Sequence, residues 1–165
     1  ISQYEWDDLS EGSSLGSSSL RREAFCNYYN KGFKLKPIRG NIETRIHKVL
    51  KGEVDATIMA EAGLKRWGLT QYIKTKFSTD YIYPAAGQGA IAIIARKESK
   101  KKEVIQKLSD YVSFQEVLSE KSILEEVGVG CQWPLGAISL FENKELKLNS
   151  ILLDKTLWSL VKVMG

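Results

Sequence analysis

Gly16-Ser17-Ser18-Ser19-Leu20-Arg21-Arg22 turns a run of small residues into the start of a helix. A loop that delivers a helix N-terminus exposes backbone N–H groups and carries partial positive charge. The serines add short donors. The two adjacent guanidiniums add planar, permanently charged forks suited to carboxylates or phosphates. Two readings stay open here: an anion site, or a serine N-cap followed by two solvated arginines.

Outward from this stretch, a helix capped by Ser18 or Ser19 runs to about Tyr29, with Asn30 and Gly32 as its stop. Residues 1–15 are polar with scattered aromatics and read as a tail or the remains of an earlier element. Residues 33–38 alternate apolar and polar, which predicts a strand with Pro37 near its end. After Gly40, Asn41 caps a predicted helix over 42–51 with Ile42, Ile46, Val49 and Leu50 on one face. Residues 54–60 predict a short strand, and 61–67 a helix ended by Gly68. Strands and helices alternating at these lengths imply βαβ units on a parallel or mixed sheet.

The second half has another character. Ile91-Ala92-Ile93-Ile94-Ala95 is apolar on both faces and predicts a fully buried strand. The charge run 98–103 marks a domain boundary. Helices follow over 101–108 and 113–127, the second with Val117, Leu118, Ile123 and Leu124 as its apolar stripe and Gly128 to Gly130 as its end. Strands over 131–141, 146–153 and 156–163, with turns at Asn143-Lys144 and Asp154-Lys155, complete an α+β half with an antiparallel sheet.

Composition narrows the function classes. The 165 residues are 43% hydrophobic and 27% charged, which implies a folded core and excludes disorder. A net charge of +4 is too mild to argue for nucleic acid, and the aromatics do not interleave with basic residues as a base-stacking surface requires. No apolar run reaches membrane-spanning length, and the acidic first residues are no signal peptide. The missing initiator Met suggests a fragment or processed product. Cys26 and Cys131 lie far apart and read as free thiols in a reducing, cytoplasmic setting. Cys26 reads as core; Cys131, on a tight Gly-flanked turn, is either a nucleophile or attachment point or a small buried hydrophobe. The single histidine, His47, reads as solvated or capping. No hydrolase elbow and no metal-ligand set appear.

Three further stretches complete the pattern. Arg39 ends a predicted strand, and Arg45 sits in the first turn of a helix, where the dipole disfavours a cation. An anionic ligand would explain it; so would a pair with Glu43 or another surface carboxylate. Ala62-Gly63-Leu64-Lys65-Arg66 adds another basic point after a βα crossover. Gly87-Gln88-Gly89 permits close backbone approach to a ligand, or makes a hinge.

Taken in order, Ser17-Ser18-Ser19-Leu20-Arg21-Arg22, Ile38-Arg39-Gly40-Asn41 with Thr44-Arg45, Ala62 to Arg66, Gly87-Gln88-Gly89-Ala90 and Gly130-Cys131-Gln132-Trp133-Pro134 are more specific than any one alone. From about Gly12 to its end the chain resembles the porphobilinogen deaminase (hydroxymethylbilane synthase) family. That resemblance implies a transferase of tetrapyrrole biosynthesis that joins four porphobilinogen units, with loss of ammonia, into linear hydroxymethylbilane on a dipyrromethane cofactor. It implies a cofactor thioether on Cys131. Ser19, Arg21, Arg22, Arg39, Arg45, Arg66 and Gln88 then hold cofactor and substrate. It further implies a periplasmic-binding-protein-like βαβ domain over 1–84 and a crossover strand over 85–98. An α+β domain with a three-stranded antiparallel sheet covers 99–165.

The departures from the family pattern carry expectations too. The family's first domain, with its catalytic aspartate, has no match here, so the fragment is expected to be inactive alone. Asp55 and Glu61 do not match the catalytic position. Residues 91–95 lose the sheet neighbours that the first domain supplies, which implies cover by rearrangement or a partner and a route to self-association. Val129 stands where the family has glycine, and Trp133 where it has a smaller residue. A non-enzymatic carboxylate-binding module on the same scaffold is the alternative.

Overall fold

Strand β1 (Ser14–Gly16) holds the centre of a small parallel sheet, flanked by elements that alternate along the chain: α1 (Leu20–Tyr28), β2 (Lys34–Lys36), α2 (Ile42–Leu50), β3 (Ala56–Thr57) and α3 (Glu61–Arg66). The computed structural model describes residues 1–29, 32–128, 133–153 and, as backbone, 160–164. Sheet order is β2-β1-β3, with Leu15 opposite Leu35 on one side and Ala56 on the other. Helical crossovers between parallel neighbours are what the alternating pattern predicts. The strands are shorter than expected, because the residues beyond Lys36 and Thr57 leave the sheet as loops.

Two compact units make up the chain, one built on Ile1–Ile82 and the other on Tyr83–Leu152. In the first, Leu15, Cys26 and Ala56 are buried with Trp6 and Leu9, while Ile38, Val49 and Val54 form a second cluster. Residues 1–15 are therefore no tail. Trp6 packs edge-on against Phe33 and Phe77 at 5.0 and 4.9 Å, and its indole N–H donates to the Tyr81 hydroxyl at 3.1 Å. One buried indole anchors this segment without periodicity, so hydropathy patterning could not find it. On α2, Ile46 and Val49 are buried as predicted and Leu50 is half exposed.

The second unit carries α4 (Lys102–Gln106), α5 (Tyr111–Val127), β4 (Leu135–Glu142), β5 (Glu145–Leu153) and β6 (Leu160–Met164). Asp110 caps α5, accepting from Ser113 N–H at 2.8 Å, and Gly128 ends it in the left-handed conformation. The face that α5 turns inward runs through Val117, Glu120, Ile123 and Leu124; Leu118 is half exposed, which corrects its place in the predicted stripe. Strands β4 and β5 pair antiparallel from Leu135 opposite Leu152 to Glu142 opposite Glu145. Asn143 and Lys144 both take positive φ in the predicted two-residue turn. The described antiparallel pairing is that of two strands; β6 stands third in the order β4-β5-β6. The Asp154-Lys155 turn and residues 129–132 lie outside the described residues.

Residues 91–95 correct the buried-strand expectation. No strand forms there, and Ile91 and Ile94 are 80% and 94% exposed. A segment apolar on both faces needs sheet neighbours on both edges and cover on both sides. The described residues supply neither.

A candidate anion site at the ends of three parallel strands

Because β1, β2 and β3 run parallel, the loops that follow them gather along one edge of the sheet, each leading into a helix. In open α/β sheets that edge is where ligands bind. The first two loops are braced together. Ser17 N–H donates to Lys36 carbonyl at 2.9 Å. The Ser18 hydroxyl donates to Ile38 carbonyl at 2.9 Å and accepts from Ile38 N–H at 3.1 Å. Ser18 is thus spent on the neighbouring loop. Ser19 occupies the N-cap position of α1 but makes no side-chain cap bond. The predicted serine cap is therefore absent, and the start of α1 keeps donors for another acceptor.

The second loop is shaped by Gly40, whose φ of +117° and whose position 2.7 Å (as a built Cβ) from Thr44 Cγ2 admit no side chain. Asn41 caps α2 as predicted, its carbonyl oxygen accepting from Thr44 N–H at 2.8 Å and from the Thr44 hydroxyl at 2.7 Å. Arg45 folds back, its Nε donating to Gly40 carbonyl at 2.9 Å. Arg22 spans from α1 to the third loop, its Nη1 donating to Ile58 carbonyl at 2.7 Å. The Arg22 pKa is lowered first by burial, then by the Arg45 and Arg21 guanidiniums. Three cations therefore share one field at the positive ends of α1 and α2, against the helix dipoles. Among the described residues no carboxylate pairs with Arg22 or Arg45, so the surface ion pair that could have explained Arg45 is absent.

The other predicted residues stand differently. Arg39 is exposed on the second loop, directly after buried Ile38. Arg66 is exposed in the last turn of α3, and no described contact joins it to Arg22 or Arg45. Gln88 belongs to the second unit, where its side-chain oxygen accepts from Ala85 N–H at 3.2 Å. Cys131 lies outside the described residues.

Neither candidate carboxylate is free at this edge. Asp55 precedes β3, so it sits at the opposite end of the sheet. There its Oδ2 accepts from Ser14 N–H and hydroxyl, both at 2.7 Å; these bonds, then Lys36, hold its pKa below the usual range. Glu61 opens α3 and is paired with Lys76 and Lys65 at 2.9 and 3.0 Å. Cys26 is buried in α1 as predicted, and burial pushes its thiol up to about 12. The Ser18 brace and the Arg22–Ile58 bond were not legible in the sequence, since both join loops distant along the chain.

The family model described as "Porphobilinogen deaminase, dipyromethane cofactor binding domain" matches residues 1–104. The chain belongs to the porphobilinogen deaminase family. The model of the porphobilinogen deaminase C-terminal domain matches residues 114–159. A probable porphobilinogen deaminase from Methanothermobacter thermautotrophicus is 54% identical over 155 residues, 94% of this chain and 54% of the relative. A porphobilinogen deaminase from Prochlorococcus marinus is 40% identical over 149 residues, 90% of this chain and 47% of the relative. One from Nitrosopumilus maritimus, named as probable, is 41% identical over 144 residues, 86% and 46%. The chain thus spans about half the length of the curated relatives it matches. No helix among the described residues is long and apolar enough to cross a membrane.

Proposed function

We propose that these residues form the carboxylate-holding part of a cytoplasmic porphobilinogen deaminase, with the βαβ domain over 1–84 of periplasmic-binding-protein type. The single observation that carries the reading is the half-buried Arg22 beside Arg45 and Arg21, with backbone carbonyls as the described partners of Arg22 and Arg45. Placing the Arg22 and Arg45 guanidiniums together near helix N-termini, with backbone carbonyls as their described partners, is costly unless an anion completes the site. A dipyrromethane fits that donor set, since each of its pyrroles carries an acetate and a propionate.

When bound, the cofactor supplies the primer on which porphobilinogen units are joined. Cys131 is the residue that would hold it by a thioether, in the α+β domain over 99–165 with its three antiparallel strands. The buried, raised thiol of Cys26 supports that choice, since only a thiolate is nucleophilic. Arg22 and Arg45 neutralise and orient carboxylates of cofactor and substrate, Arg21 and Arg39 extend the same edge, and Ser19 offers a hydroxyl that no cap bond uses. Arg66 and Gln88 are assigned outlying carboxylates. Proton transfer as ammonia leaves needs a carboxylate in reach. Asp55 and Glu61 are committed elsewhere, so that group is assigned to the family's first domain, outside these residues. The open segment 91–95, in the crossover over 85–98, is the place where that domain, or a second copy of this chain, adds a strand.

Intact mass tests the reading. The chain, mixed with the relatives' N-terminal half and porphobilinogen, gains two pyrrole units, and Cys131→Ser abolishes the gain. An unchanged mass in that mixture would overturn the cofactor assignment and leave a carboxylate-binding module.

A further inference from the structure

Glu120 is buried at 8% exposure on the inward face of α5, where the helix pattern calls for an apolar residue. Its Oε2 accepts from Gly87 N–H at 2.6 Å and its Oε1 from Ser139 N–H at 2.8 Å. One carboxylate thus joins the Gly87-Gln88-Gly89 turn to strand β4. Strand β4 ends the sheet order, so its outer backbone donors need partners. Ala137 N–H donates to Pro84 carbonyl at 3.0 Å, Ser139 N–H to Glu120, and Phe141 N–H to Glu116 at 3.0 Å. Every second residue of that edge is met by the 84–87 segment or by α5. Gly136 lets the segment press close, since a Cβ there would lie 2.5 Å from Tyr83 Cβ.

The turn itself has a fixed polarity. Gln88 N–H donates to Ala85 carbonyl at 2.9 Å, and Ala85 N–H donates back to the Gln88 side-chain oxygen. A backbone N–H can only donate, so the Gln88 carbonyl is committed inward and its NH₂ faces out from an exposed residue. An outward NH₂ suits a carboxylate and refuses a donor.

We propose that Glu120 is a positioning residue, which locks the Gly87-Gln88-Gly89 turn onto the edge of β4 so that Gln88 presents its amide donors to a ligand carboxylate. This rests on the assignment of Gln88 to the carboxylate-holding set. Glu116 is the internal control: it caps the same edge from the same helix one turn away, and its described bond does not reach the turn.

The test compares Glu120→Gln, Glu116→Gln and Gln88→Ala by amide exchange at Gly87 and by porphobilinogen binding, with far-UV circular dichroism reporting the fold. Glu120→Gln turns an NH₂ toward one of the two N–H donors. It is expected to speed Gly87 exchange at least about tenfold and to weaken porphobilinogen binding about fivefold. Glu116→Gln leaves both within about twofold. If Glu120→Gln does not fold, Glu120→Asp, which keeps both acceptor oxygens on a shorter stem, is expected to show the same changes at smaller size. Unchanged Gly87 exchange in a folded Glu120 variant overturns the proposal, as does an equal effect from Glu116→Gln. Accelerated exchange with binding unchanged in both Glu120→Gln and Gln88→Ala would instead overturn the assignment of Gln88.

Discussion

Replacing Arg22 by methionine removes a charge while keeping most of the packed stem, and the structure sets opposing terms for the free protein. The variant loses the 2.7 Å bond to Ile58 carbonyl, worth about 1.5–3 kcal/mol for a charged donor. It regains the cost of burying a cation, the first cause of Arg22's lowered pKa. It also sheds repulsion from Arg45 and Arg21, about 0.3–1 kcal/mol each for partly exposed charges. The terms nearly cancel, so the ligand-free stability is expected to change by no more than about 1 kcal/mol, or roughly 2–4 °C in Tm. Binding behaves otherwise. A carboxylate loses one charge-assisted partner, about 1.5–3 kcal/mol, which weakens affinity about 10- to 150-fold. Thermal unfolding with and without porphobilinogen reads both quantities. A variant that loses far more than about 4 °C in the free state, yet keeps the wild-type porphobilinogen shift, would show that Arg22 is a brace for the third loop and would refute the anion site.

Two further outcomes follow from other parts of the chain. Asp55 has a folded pKa held below its unfolded value of about 3.9, so its contribution is complete above that pH and is lost as pH falls through the lowered value. Asp55→Asn should therefore cost about 1 kcal/mol at neutral pH, discounted for the group's exposure, and should flatten the stability profile below about pH 4 in acid titrations followed by circular dichroism. In the open segment, Ile93→Lys places a charge where a pairing strand would sit. Sedimentation velocity should show weaker association than wild type with the same Tm; equal association would exclude 91–95 as the contact.

Sequence reading reached the parts of this fold that local chemistry encodes. Asn41 and Asp110 cap helices because a short carbonyl side chain at that position has one favourable use. Asn143-Lys144 turns where two hydrophilic residues break an alternating pattern. The alternation of strands and helices also implied a parallel or mixed sheet, and the sheet of the first unit is parallel; that the loops after its strands share one edge was not read from the sequence. What escaped reading depends on residues far apart in the chain. Trp6 meets Tyr81 across the first unit, Ser18 meets Ile38 across two loops, and Glu120 meets Gly87 and Ser139 across helix and strand. No short window of sequence contains any of these four pairs of partners, so a buried glutamate on α5 reads there as one more charge on a solvated face.

Among the described residues one strand edge is closed while one apolar segment is left open, and the contrast bears on how the open segment would pair. Along β4 the outer donors are closed, at the cost of burying Glu120. Along 91–95 nothing comparable is present: the isoleucines are exposed, no gatekeeping charge interrupts them, and no described backbone bond involves these amides. Exposed edges without charges, prolines or bulges are ready to pair. The charges flanking this segment decide the geometry of a pair formed by two copies. Arg96 and Lys97 follow it directly, while the other end is Gly87-Gln88-Gly89-Ala90. Parallel, in-register copies would stack Arg96 on Arg96 and Lys97 on Lys97, which like-charge repulsion opposes. Antiparallel copies centred on Ile93 set Arg96 against Ala90 and Lys97 against Gly89, separating the charges to opposite ends. Raised salt should therefore strengthen the antiparallel pair only slightly, whereas it would strengthen a parallel stack steeply, so the salt dependence of association distinguishes the two arrangements.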